Sequence, residues 1–240
     1  MTIIAGLVTP GGVVLGSESR RVFKNLAEGT ETIENDDAKK TYLLNGKHGL
    51  KYGLACSGIT GFDAAAPDDP SIKVKWQLED EIATLSKMAD TGEYSMRELA
   101  EWLQDRVTRA LLHEKISHSN ENKFVFYLAG YEKTLQSPTM FSFNIGLGEH
   151  CQLQEYGNTG DGNFQGGFFH AGETEILKKL LRDETVKCYD MSLQEAIEFV
   201  YLTIQAGITF PKYLEGHKEY NGGEISIAVI SPEFCGFIDD

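Results

Sequence analysis

Thr2 is followed at once by an apolar, strand-like run, Ile3-Ile4-Ala5-Gly6-Leu7-Val8. With the initiator Met1 removed, this threonine would carry a hydroxyl nucleophile and a free α-amine on one residue, and the amine can serve as the base for the hydroxyl. A threonine hydroxyl is a poor nucleophile at neutral pH and needs such a base within hydrogen-bond reach. An α-amine titrates near about 7.7–8.0 and is therefore partly neutral at pH 7. A neighbouring lysine cation would lower the amine pKa, and an acid beside the lysine would hold it charged and in place. Glu18 ends the second strand-like run, Val13-Val14-Leu15-Gly16-Ser17-Glu18. Lys39-Lys40 opens a third, and Cys56-Ser57-Gly58-Ile59-Thr60-Gly61 closes a fourth. Taken singly, each residue has an ordinary reading. Most threonines at position two do no catalysis, Glu18 and Lys40 read as surface charges at strand ends, and Gly58 reads as a glycine easing a turn. The joint order raises the chemistry above those readings.

The elements that would position these groups follow from periodicity. Residues 2–9 and 12–18 read as a hairpin across Thr9-Pro10-Gly11-Gly12. Residues 20–38 are polar and read as an extended loop. Lys40-Thr41-Tyr42-Leu43-Leu44 and Lys51-Tyr52-Gly53-Leu54-Ala55-Cys56 read as strands joined by an Asn45-Gly46 turn. Residues 62–74, with Pro67-Asp68-Asp69-Pro70, read as a loop. Trp76, Leu78, Ile82, Leu85 and Met88 recur at helical spacing, as do Leu99, Trp102, Leu103, Val107 and Leu111. Ser95-Met96-Arg97-Glu98 is a capping-box pattern before the second of these helices. Runs at 123–129, 139–143 and 151–156 read as a three-strand meander. A glycine-rich turn at 157–162 leads to two further helices, the last beginning near Ser192-Leu193-Gln194-Glu195, again a capping box. Strands at 225–230 and 236–238 end the chain. Helices in pairs between groups of strands do not suit a repeating βαβ parallel sheet. Two antiparallel sheets face to face, with a helix pair on each outer side, would bury every apolar face. The expected class is therefore α+β, a four-layer αββα sandwich.

Composition narrows the function classes. Lys and Arg number 22 against 36 Asp and Glu, a formal charge of −14, which argues against nucleic-acid backbones and anionic membrane surfaces as main partners. The four cysteines (Cys56, Cys151, Cys188, Cys235) have neither metal nor disulfide spacing, so a reduced, cytoplasmic setting is expected, with no metal and no cofactor. No stretch reaches the roughly 20 apolar residues that span a bilayer, and the N-terminal run lacks the basic lead of a signal peptide. Without a Pro/Ser-rich linker or an internal repeat, residues 1–240 read as one domain. His113 and His118 are five apart rather than the four of a zinc-protease helix, and no Gly-Lys-Ser/Thr follows the glycines at 157–167, so neither a zinc motif nor a phosphate loop is present. Cys56, inside an apolar strand, reads as a small core residue.

The order Thr2, Glu18, Lys40, Ser57-Gly58 and, near the end, Gly222-Gly223 before an alternating apolar strand resembles the β-type subunits of the proteasome and the related bacterial heat-shock protease, the N-terminal-nucleophile (Ntn) threonine hydrolases. The resemblance implies the αββα Ntn-hydrolase fold. It makes Thr2 the nucleophile, Glu18 the acid, Lys40 rather than Lys39 the lysine, and the Gly58 N–H the oxyanion donor. Strand alternation puts Lys39 and Lys40 on opposite faces, so only one can point at Thr2. The chain departs from the family pattern in two places. Asp161 stands where the family has a serine in the glycine-rich turn, and Lys218-Glu219-Tyr220-Asn221-Gly222-Gly223 keeps the glycines of an Asp-x-x-Ser-Gly-Gly pattern but replaces both polar residues. Asn221 can still hydrogen-bond near the terminus, and Asp161 is the candidate anion near the amine. The implied activity is that of a peptidase or amidase working through an acyl-enzyme in a closed homo-oligomeric ring, on peptides or unfolded proteins, with an unfoldase as partner. Acyl or peptidyl transfer shares the same first step, and the replaced residues favour a non-catalytic ring subunit or scaffold as the other reading. The resemblance also puts Arg21 and Cys56 beside the Thr2 pocket, where Arg21 would favour an acidic substrate side chain.

Overall fold

The computed structural model describes residues 2–25, 30–47, 50–58, 60–65, 73–113, 124–131, 137–145, 152–158, 163–172, 175–181, 185–214 and 221–238. In chain order the strands and helices are β1 (Ile3–Thr9), β2 (Gly12–Glu18), β3 (Arg21–Asn25), β4 (Thr30–Asn35), β5 (Thr41–Asn45), β6 (Lys51–Ser57), β7 (Gly61–Ala65), β8 (Lys73–Gln77), α1 (Leu78–Thr91) and α2 (Met96–His113). There follow β9 (Phe124–Tyr131), β10 (Pro138–Ile145), β11 (Gln154–Asn158), β12 (Phe164–Gln165), β13 (Gly167–Gly172), α3 (Glu175–Leu181), α4 (Leu193–Thr209), a 3₁₀ turn (Phe210–Tyr213), β14 (Ile225–Ile230) and β15 (Cys235–Ile238).

The strands form two large antiparallel sheets, ordered β13-β1-β2-β14-β15 and β12-β11-β10-β9-β6-β5, and two short ribbons, β3-β4 and β7-β8. Alternate residues leave opposite faces of a strand, and three apolar clusters follow from that. In the first sheet Ile3, Ala5, Leu7, Val14, Ile227 and Val229 meet Ala196, Val200 and Ile204 of α4. Their neighbours Ile4, Val8, Val13, Leu15, Ala228 and Ile230 meet Ala55, Tyr127, Ala129 and Met140 of the second sheet. The far side of the second sheet, with Leu54, Phe126, Leu128 and Phe141, packs on Leu85 of α1 and Leu103 and Val107 of α2. Each sheet thus has one face on the other and one face under helices. This explains why β1 and β2 are buried at every position: an antiparallel strand covered on both faces loses the polar alternation that marks a half-exposed one.

Several segments differ from the reading of the sequence. The stretch expected as a polar loop at 20–38 holds the β3–β4 ribbon, where β-branched Val22, Thr30, Thr32 and Ile33 favour extended backbone. A two-stranded ribbon needs no buried face, so its polarity disguised it. The stretch at 62–74 holds β7 and β8, with Gly61 opposite Gln77 and Ala65 opposite Lys73; Pro67-Asp68-Asp69-Pro70 lies outside the described residues. Trp76 belongs to β8 rather than to α1. Asn45 is still paired, with Lys51, and the Gly46 N–H donates to Leu50 O at 2.6 Å, so the connection is longer than an Asn-Gly turn. The third strand of the meander starts at Gln154, and two strands, β12 and β13, precede α3. The sequence reading placed no strand between the glycine-rich turn at 157–162 and the helices, yet β13 pairs with β1 along Ile3–Val8. Both capping boxes form. Ser95 N–H and Oγ–H donate to Glu98 Oε2 while Glu98 N–H donates to Ser95 Oγ, and Ser192 and Glu195 repeat the pattern. Among the described residues, no helix is long and apolar enough to cross a membrane.

Phe126 is fully buried, its ring 5.0 Å from that of Phe143, whereas Leu202 on α4 is 64% exposed. Truncating Phe126 to Ala should cost about 3–5 kcal/mol, and Leu202→Ala less than about 0.5 kcal/mol, as read from paired urea unfolding curves.

Candidate active site

Glu18, the last residue of β2, is 0% exposed. Burying a carboxylate is tolerable only when it is paired and its lone pairs are filled. Oε1 accepts from the Lys40 ammonium at 2.6 Å and from the Ile3 N–H at 3.1 Å. Oε2 accepts from the Arg20 N–H at 2.7 Å and from the Gly222 N–H at 3.2 Å. Four segments therefore meet at one side chain: the adjoining turn after β2 and, from further along the chain, the start of β1, the lead-in to β5 and the lead-in to β14. Charge-assisted hydrogen bonds of this kind are about twice as strong as neutral ones.

Lys40 is buried as well and gives a second hydrogen bond to the Arg20 carbonyl. Its backbone carbonyl accepts from the Cys56 N–H at 3.0 Å, which ties it to β6. Beside it, Ser17 Oγ and Thr41 Oγ1 are 2.8 Å apart and link β2 to β5. Burial pushes the Lys40 pKa down, opposed by the Glu18 carboxylate, and the Arg21 cation lowers it further. The native state then holds this proton less tightly than the unfolded chain. Lys40 costs stability while charged, and that cost disappears as pH rises through its lowered pKa towards its ordinary value. Lys39, one residue away, is exposed and lies 5.2 Å from the Tyr42 ring centroid.

Thr2 precedes β1 and is 8% exposed. Its following N–H, that of Ile3, binds the same Glu18 oxygen as the Lys40 ammonium. Gly172, at the end of β13, packs directly on the Thr2 carbonyl, and a Cβ there would stand only 1.4 Å from that oxygen and 3.3 Å from Ser57 Oγ. Its φ of 97° is also one that a side chain disfavours. Only glycine fits, and nothing in the sequence marks it. Gly58 follows Ser57 at the end of β6, exposed, with φ 122°. Asn221, next to the Gly222 that donates to Glu18, is 2% exposed, and neither its Nδ2 nor its Oδ1 has a hydrogen-bond partner among the described residues. Thr2, Glu18, Lys40 and the Asn221-Gly222 segment are thus brought to one place, with Gly58 one residue from Ser57. Asp161 and Lys218 lie outside the described residues.

Arg21 is engaged by Glu79 of α1, Nη2 to Oε1 at 3.1 Å, so its charge is already balanced. Cys56 faces the helix-covered side of its sheet, and burial pushes its thiol up to about 12, which leaves no thiolate nucleophile at neutral pH. His113 ends α2, while His118 is outside the described residues. Among the described residues no group of three or more His, Cys, Asp or Glu is placed to hold a metal ion. The sequence reading missed Gly172 and the backbone groups of Arg20. The latter act through N–H and C=O, which every non-proline residue has. Chemically, the site is a desolvated ammonium fixed by a carboxylate beside the backbone of Thr2, an arrangement able to stabilise negative charge developing there. No family model matches this chain, and a search of curated proteins finds no significant match.

Glu18→Gln should destabilise the fold by about 3–5 kcal/mol, the usual cost of leaving a buried charge without its partner, measured by urea denaturation at neutral pH. With iodoacetamide at about pH 8, Cys235, partly exposed on β15, should be alkylated well before Cys56 and Cys188, both buried, as read by peptide mass mapping. Because the Cys56 thiol is raised from 9.0 to about 12, its contribution to stability is complete below about pH 9 and is lost as pH climbs from there towards 12.

Proposed function

We propose that this chain is an N-terminal-threonine hydrolase of the proteasome β-type, with the αββα sandwich of the Ntn hydrolases. The observation that carries the reading is the meeting at one Glu18 oxygen of the Lys40 ammonium and the N–H that follows Thr2. Two facing antiparallel sheets with helices on their outer sides agree with that fold, as does the position of Thr2 at the mouth of β1. Once Met1 is removed, the Thr2 α-amine takes the proton from its own Oγ, and Oγ attacks a peptide carbonyl to form a tetrahedral adduct. Lys40 favours the deprotonated forms electrostatically, and Glu18 holds Lys40 charged in a site that would otherwise neutralise it. The N–H of Gly58 stabilises the oxyanion. Collapse gives an ester on Thr2 and releases the amine with the proton carried by the α-amine. Water then adds to the ester and frees the acid. Asn221 and Asp161 are the polar groups assigned to hold the amine, in place of the family's own residues. The substrate is a peptide or unfolded protein, met inside a homo-oligomeric ring supplied by an unfoldase.

A non-catalytic ring subunit is the second reading, favoured by the replacement of family polar residues at Asp161, Lys218 and Asn221. A peptide epoxyketone separates the two, because it closes a ring with both the hydroxyl and the free amine of a terminal threonine. Intact mass should show Met1 lost and one adduct, mapped to Thr2 and absent in Thr2→Ala. Retention of Met1 with no adduct would favour the non-catalytic reading.

A further inference from the structure

We propose that the Arg20–Asp36 ion pair is a positioning latch for Lys40, fixing from outside the two backbone segments that set the place of its ammonium. The kinetic consequence rests on the hydrolase reading above; the effect on Lys40 itself does not.

Arg20 contributes both of its backbone groups to the buried pair. Its N–H donates to Glu18 Oε2 at 2.7 Å and to Gly222 O at 2.9 Å, and its carbonyl accepts from Lys40. The orientation of the two peptide units on either side of the Arg20 Cα therefore governs contacts to both charges. That orientation is held by the side chain. Arg20 Nε donates to Asp36 Oδ1 at 2.6 Å and Nη2 to Oδ2 at 2.9 Å, the two-pronged geometry in which a planar guanidinium fixes a carboxylate in direction as well as distance. Asp36 stands four residues before Lys40, in the irregular segment between β4 and β5. The same segment is pinned by the Ala38 N–H on the Ser19 carbonyl at 2.8 Å and by Ser19 Oγ–H on the Asp36 carbonyl. The Glu224 N–H donates to Ser19 Oγ at 2.8 Å, so the segment before β14 joins the same knot. A Cβ on Gly222 would lie 2.6 Å from Arg20 Cζ. The guanidinium thus packs closely against Gly222, whose N–H binds Glu18.

Among the described residues, Glu18, Arg21 and Cys56 act electrostatically on Lys40, and Lys40 and Asp36 act on each other, the Asp36 carboxyl being held below the usual carboxylate range by Arg20. Asp36 is 48% exposed, and exposed pairs add little stability. The latch therefore acts on geometry and on the Lys40 proton rather than on the fold.

The test uses the full chain carrying Asp36→Asn, Asp36→Glu or Arg20→Lys, with lysines ¹³C-labelled at Cε and the Lys40 signal assigned from Lys40→Met. Asp36→Asn should lower the Lys40 titration midpoint by roughly half a pH unit. It should reduce kcat for a fluorogenic peptide about fivefold, the upper end of what one exposed ion pair is worth, with KM changed less than about twofold. Arg20→Lys, which keeps the charge but loses the fork, should shift both in the same direction, and Asp36→Glu should restore most of the loss. Melting temperatures should stay within about 2 °C of wild type. A Lys40 midpoint and kcat equal to wild type in Asp36→Asn overturn the latch while leaving the hydrolase reading intact. Equal losses in Asp36→Asn and Asp36→Glu also overturn it. A shifted Lys40 midpoint in a chain that hydrolyses no peptide sustains the latch and sinks the hydrolase reading.

Discussion

A carboxylate with no access to water has to be satisfied from within, and the folding of this chain around Thr2 is organised by that demand. Glu18 takes one ammonium and three main-chain N–H groups. Remove any donor and the rest must absorb a desolvated charge, so the four contributing segments are correct together or not at all. Lys40 is in the same position with opposite sign: without Glu18 it would be a buried cation facing Arg21. Such a pair contributes little net stability relative to an apolar replacement, but breaking it from one side is expensive. Its value is in dictating a single arrangement.

The two sheets make that arrangement reachable. β1 and β2 lie in the interior of the first sheet and between two apolar clusters, one towards α4 and one towards the second sheet. A hairpin held on both faces is rigid, and its open end carries Thr2 on one strand and Glu18 on the other. β5, which follows Lys40, belongs to the second sheet. The ion pair therefore spans the two sheets at their rim, and the Ser17–Thr41 hydroxyl contact runs beside it. Packing sets the distance between the sheets, and the charge pair sets their alignment at this edge.

What could be read from the residues was whatever a side chain signals by type and spacing. The helices announced themselves through a 3.6-residue apolar period and two capping boxes, and the N-terminal hairpin through its unbroken apolar runs. Thr2, Glu18 and Lys40 could be picked out because their chemistry depends on their identity. The β3–β4 ribbon was hidden because a two-stranded element can be polar on both sides. Gly172 is required by a close approach of backbone to the Thr2 carbonyl, which no local pattern encodes. The Arg20–Asp36 pair joins positions sixteen apart across that unrecognised ribbon. Its role could not be seen before the ribbon was.

The composition of the shell around Glu18 bears on how such a chain can change over time. Ile3, Arg20 and Gly222 serve the carboxylate through main-chain N–H groups, and every amino acid except proline supplies one. At Ile3 the donor survives exchange for another apolar side chain that fills the same buried place against α4, but not exchange for proline. The pairing that must change in concert is the one between Glu18 and Lys40. A lineage can therefore change letters around this centre while its donors persist, provided that Glu18 and Lys40, the close-packed Gly172 and Gly222 and the apolar character of the buried strands are kept.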